Sequence, residues 1–97
     1  MEQKQPQQQQ VQLHASDADL KGFYSNMAQV THTQEEFILD FFNILPPQGQ
    51  LVSRIITSPG HFKRLIQALQ DNMRKYEERF GQVVAAEGPK DGIGFKI

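Results

Sequence analysis

Apolar residues alternate with polar ones through the middle of this 97-residue chain, then recur every third or fourth position toward its end. The hydrophobic period therefore changes once, near residue 58. The alternating part predicts three strands. The first runs from Phe23 to about His32, with Tyr24, Ala28 and Val30 on one face and Phe23 and Met27 on the other. Thr33, Gln34 and Glu35 make a turn. The second strand, Glu36 to Ile44, is apolar on both sides: Phe37, Leu39 and Phe41 line one face, and Ile38, Phe42 and Ile44 the other, interrupted by Asp40. Such a strand belongs in the middle of a sheet with both faces covered. Pro46, Pro47, Gln48 and Gly49 impose a turn, because proline holds φ and glycine accepts positive φ. The third strand, Gln50 to Thr57, carries Leu51, Val52, Ile55 and Ile56.

Short connections predict an antiparallel meander in the order 1-2-3. A four-residue loop puts Asp40 opposite Ile55, whereas a slip of one residue puts Asp40 opposite Arg54, Ile38 opposite Ile56 and Phe42 opposite Val52. The second register joins opposite charges and apolar pairs, and is preferred on that ground. It places Ile38, Phe42, Val52 and Ile56 on one face and Phe37, Leu39, Phe41, Leu51 and Ile55 on the other.

The change of period marks a helix. Ser58 is placed to cap it, and Pro59 takes the first helical position, where no donor is needed. Phe62, Leu65, Ile66, Leu69, Met73, Tyr76 and Phe80 follow as one stripe, Asp71 and Lys75 form an i,i+4 pair, and Gly81 closes the element. The stripe spans about 27 Å, close to the length of an eight-residue strand at about 26 Å, so the helix is expected to lie across the sheet. The fold expected is α+β: a three-stranded antiparallel meander followed by one long amphipathic helix packed on the sheet, over residues 20–81. Residues 1–19, rich in glutamine, read as a disordered arm, and 82–97, with Gly88, Pro89, Gly92 and Gly94, as a flexible tail ending on Phe95, Lys96 and Ile97.

Composition narrows the function. A net charge of −1 argues against a broad electrostatic footprint for nucleic acid or an anionic membrane. The absence of cysteine removes disulfides, thiolate zinc sites and cysteine nucleophiles, and fits a reducing compartment. No apolar run approaches the length of a membrane span, and the first residues lack the apolar core of a signal peptide, so a cytoplasmic location is expected.

The polar residues offer little chemistry. His14, His32 and His61 have no ligand-like spacing, and no cofactor or metal site is expected. Asp40, set in an apolar strand, reads either as a carboxylate with a raised pKa or as the partner of Arg54 in a structural ion pair that holds register; the pair is preferred because no nucleophile or phosphate loop accompanies it. Ser25 and Asn26 read as edge-strand polar groups. Lys63, Arg64, Arg74, Lys75 and Arg79 share the helix with Asp71, Glu77 and Glu78, which makes a mixed solvated face rather than a basic patch.

Four segments carry a resemblance: Tyr24-Ser25-Asn26, Phe37-Ile38-Leu39-Asp40-Phe41, Thr57-Ser58-Pro59, and Tyr76-Glu77-Glu78-Arg79-Phe80-Gly81. From Tyr24 to Gly81 the chain resembles a family of short bacterial and archaeal proteins known only as a domain of unknown function. The resemblance implies a compact cytosolic β-β-β-α module and supplies no catalytic residues.

A single helix covers one face of a small sheet and leaves the other open. The expectation is therefore a non-enzymatic homo-oligomeric interaction or scaffold module, at least a dimer, with Phe37, Leu39, Phe41, Phe42 and Ile55 as interface candidates. A nucleic-acid-binding regulator and a small chaperone or adaptor holding apolar segments are the alternatives.

Overall fold

The computed structural model describes residues 10–88 and has the order α1 (Asp17–Lys21), β1 (Met27–His32), β2 (Phe37–Leu45), β3 (Gln48–Thr57) and α2 (Pro59–Phe80). The three strands form one antiparallel sheet in the order β1-β2-β3, as the meander pattern predicts. The first strand starts at Met27 rather than Phe23, and the arm expected to be without structure contains α1. That short helix is stabilised by a capping box: the Asp19 N–H donates to Ser16 Oγ (3.1 Å) and the Ser16 N–H to Asp19 Oδ2 (3.0 Å). The expected tail has no helix or strand in its described part, 82–88, and the expectations for 1–9 and 89–97 lie outside the described residues.

Thr33 builds the β1–β2 turn, where its Oγ1 accepts from the N–H groups of Glu35 and Glu36 and its own N–H donates to the Glu36 carbonyl. The β2–β3 turn is tighter than expected: Leu45 faces Gln48, so only Pro46 and Pro47 lie outside the ladder, joined by a cis peptide bond. The pairing contains a bulge. Phe37 to Phe41 face Thr57 to Ser53 in the preferred register, including Ile38 opposite Ile56 and Asp40 opposite Arg54, but Phe42 faces Leu51 and not Val52. Val52 is the extra residue. A two-residue turn in an unbroken ladder would put Asp40 opposite Ser53; the bulge absorbs that one-residue offset and returns Asp40 to Arg54. Leu51, expected on the Leu39 and Phe41 side, consequently shares a face with Phe42.

The helix begins as expected and then departs from the expected packing. Ser58 Oγ accepts from the His61 N–H (3.2 Å), Pro59 occupies the first turn, and Gly81, with φ +94°, ends the element and donates its N–H to the Glu77 carbonyl (2.9 Å). Phe62 stacks on Phe37, ring centroids 4.1 Å apart and planes 7° from parallel, which docks the first turn on the Phe37 face. Beyond Leu65 the stripe does not lie across the sheet. No residue of α2 is buried, and Leu69 is 61% and Phe80 64% exposed. Among the described residues only Leu39, Phe42 and Asp40 are buried.

Ser58→Ala removes the oxygen that satisfies the first turn of α2, and should lower stability by about 1 kcal/mol in chemical denaturation while leaving the sheet intact.

Candidate functional site

Strand pairing sets Asp40 of β2 directly across from Arg54 of β3, and their side chains meet in a two-pronged ion pair: Arg54 Nε donates to Oδ1 at 2.7 Å and Nη2 to Oδ2 at 2.9 Å. The Asp40 side chain is 4% exposed and that of Arg54 51%, so the guanidinium itself shields the carboxylate from water. The hydrogen bonds from Arg54 hold the Asp40 carboxyl below the ordinary aspartate range, and Asp40 in turn raises Arg54. That direction is opposite to the raised value that the alternative reading of Asp40 required. The pair links two strands just where the ladder is displaced by the Val52 bulge.

Ser25 and Asn26 have a structural task that alternation along the chain does not reveal. Asn26 Nδ2 donates to the Ile44 carbonyl and the Ile44 N–H donates to Asn26 Oδ1, each at 2.8 Å, so one side-chain amide replaces a backbone unit and extends the β1 edge past its first residue. The Asn26 N–H reaches the Phe42 carbonyl at 3.0 Å. The Ser25 hydroxyl lies within donating distance of the Met27 and Phe42 carbonyls, at 3.0 and 2.9 Å. The exposed end of β2 is thereby hydrogen-bonded where β1 has already stopped. An Asn immediately ahead of a strand was the available signal for this.

The remaining polar groups are dispersed. The His32 ring leans on Phe37 at 5.3 Å, and His61 Nδ1 lies 2.8 Å from Arg64 Nη2, where it must accept because a guanidinium only donates. No three metal-ligating side chains come together among the described residues. Two of the five lysines and arginines of α2 are ion-paired along the helix, Arg74 with Asp71 and Glu78 (both 2.8 Å) and Lys75 with Asp71 (3.2 Å). No helix among the described residues is long and apolar enough to cross a membrane.

What the fold leaves open is apolar. Of the five interface candidates, Leu39 and Phe42 are buried in the protomer's own core, Phe37 is covered by Phe62, and Phe41 is half-buried; Ile55 is half exposed. The larger open surface was expected to be covered by the sheet: Ile66, Leu69, Met73, Tyr76 and Phe80 on α2 are all exposed, as are Leu51 and Ile56 on β3. Tyr76 and Phe80 touch each other at 4.9 Å, and the Arg79 guanidinium lies 5.1 Å over the Phe80 ring, so this end of the helix is an aromatic patch with a cationic rim.

A family model described as "Protein of unknown function (DUF3467)" matches residues 1–85, and the chain belongs to that family. The match takes in the glutamine-rich arm, which the resemblance from Tyr24 to Gly81 had left outside. No curated protein and no solved structure matches the chain.

Two outcomes follow. Asp40→Asn should lower the Tm at neutral pH. Because the folded-state carboxyl titrates below its unfolded value, the stabilisation is present above the ordinary Asp range and lost as pH falls through the lowered value; the Tm gap between wild type and variant should therefore close below about pH 4. Asn26→Ala should cost about 1 kcal/mol and speed hydrogen exchange at the Ile44 amide, with the Leu39 amide unaffected.

Proposed function

We propose that this protein is a non-enzymatic, homo-oligomeric interaction or scaffold module, working in the cytoplasm as at least a dimer. The observation that carries the reading is the stripe from Ile66 to Phe80, held on a well-capped helix of 22 residues and left exposed by its own protomer. Helices in folded proteins owe most of their stability to a packed apolar face, and each large apolar side chain left in water forgoes about 1.5–3 kcal/mol. A patch of this size marks a site of association. The polar groups support the non-enzymatic part: Asp40 and Arg54 hold each other, and Ser25 and Asn26 serve the backbone of β2. The ion pairs that engage Arg74 and Lys75 weigh against a nucleic-acid-binding surface on the helix.

A second reading, an adaptor or small chaperone that takes an apolar segment of another protein, draws on the same exposure of Leu51, Ile55 and Ile56 along β3. Light scattering separates the two. The full-length protein at micromolar concentration should have at least twice the chain mass. Met73→Glu, a change at a half-exposed position outside the protomer core, should dissociate it. A monodisperse wild-type monomer would remove the homo-oligomer reading and leave the adaptor.

A further inference from the structure

The spacing along the exposed stripe goes further than amphipathicity. Phe62, Ile66, Leu69, Met73, Tyr76 and Phe80 are separated by four, three, four, three and four residues, the alternation found along a coiled-coil seam. The ion pairs along the helix follow the same frame. Asp71, Arg74, Lys75 and Glu78 are the positions farthest from that seam, so the outward face is already hydrogen-bonded within the protomer while the seam is not.

We infer that α2 pairs antiparallel with α2 of a second copy, about a twofold axis at the level of residue 71. Resting on the homo-oligomer reading, this names its interface. The seam is self-complementary in that arrangement and no residue of it is left over: Ile66 meets Tyr76 of the second copy, Leu69 meets Met73, and Phe62 meets Phe80. The flanking positions agree. Lys63 comes beside Glu77 of the second copy on one side, twice by symmetry, and Leu65 lies along the stem of Arg79 on the other, with Gln70 and Asn72 next to their own counterparts near the axis. Neither Lys63 nor Glu77 has an ionic partner within the protomer among the described residues, although Glu77 Oε2 accepts from the Val83 N–H (2.9 Å), which leaves Oε1 for a cation. A parallel pairing would instead bring Asn72 beside Glu77 and Leu65 beside Gln70, with no opposite charges joined. The antiparallel pairing also delivers Phe80 of each copy to the Phe62 and Phe37 stack of the other, where α2 docks on its own sheet.

The chain has no cysteine, so single-cysteine spin labels report one position at a time. Labels at Asn72→Cys should lie close across the dimer in pulsed dipolar EPR. Those at Arg64→Cys and Glu78→Cys, each seven residues from the axis, should be farther apart by an axial offset of about 21 Å. Lys63→Glu should weaken the full-length dimer about tenfold by replacing two attractive pairs with repulsive ones, and Lys63→Glu with Glu77→Lys should restore it. One common distance at all three label positions in a dimeric protein would overturn this pairing and leave the homo-oligomer reading standing, as would a dimer indifferent to both charge changes. A wild-type monomer by light scattering would overturn both.

Discussion

The double pairing of β2 is the constraint on which the rest of the structure depends. Only β2 is hydrogen-bonded along both edges, and the two buried apolar residues, Leu39 and Phe42, both belong to it. Its alignment with β3 has to satisfy two demands that differ by one residue. The Pro46-Pro47 turn starts the ladder at Leu45 and Gln48, while the ion pair requires Asp40 to face Arg54. In a sheet a slip of one residue moves every side chain to the opposite face, so the two cannot both hold in an unbroken ladder. The bulge at Val52 reconciles them. Past it, β3 runs to Thr57 in the register that places Ser58 to cap α2 and brings Phe62 onto Phe37.

From that frame follows an imbalance between apolar surface and the means to cover it. Three strands present a face about 14 Å wide, and α2 covers only its Phe37 end. Exposed apolar side chains run along the free edge of the sheet and down the helix, from Leu51 to Phe80, and occur also at Leu45 and around β1 at Phe23, Tyr24 and Val30. The edge strand β1 is short and carries Gln29, Thr31 and His32, the polar kind of edge that discourages pairing.

The polar residues obey the same economy of surface. Asp40 and Arg54 secure a displaced register, Ser25 and Asn26 finish the end of β2 that β1 does not reach, and Thr33 closes the first turn. On α2, Asp71, Arg74, Lys75 and Glu78 pair along the helix, away from the stripe. Each of these contacts maintains a shape.

How much of this was legible beforehand follows from the range of each interaction. The three strands, their order, the Asp40–Arg54 pairing and the capped helix were all readable in the sequence, because alternation, turn residues, caps and opposite charges act over a few residues or between adjacent strands. The late start of β1, the short helix α1 and the displacement at Val52 were not. The first depends on Asn26 reaching Ile44, a contact between strands; the second on a four-residue capping box in a polar stretch without periodicity; the third on two alignments competing for one ladder. The packing of α2 was the largest departure. A stripe at helical spacing states that a face will be buried and is silent about what will bury it, since the hydrophobic effect has no direction. The sequence by itself determined the elements and the surface that requires cover. Only the tertiary structure decided that the sheet does not provide it, because the single aromatic stack between Phe37 and Phe62 anchors the helix at one end and leaves the rest of its apolar face exposed.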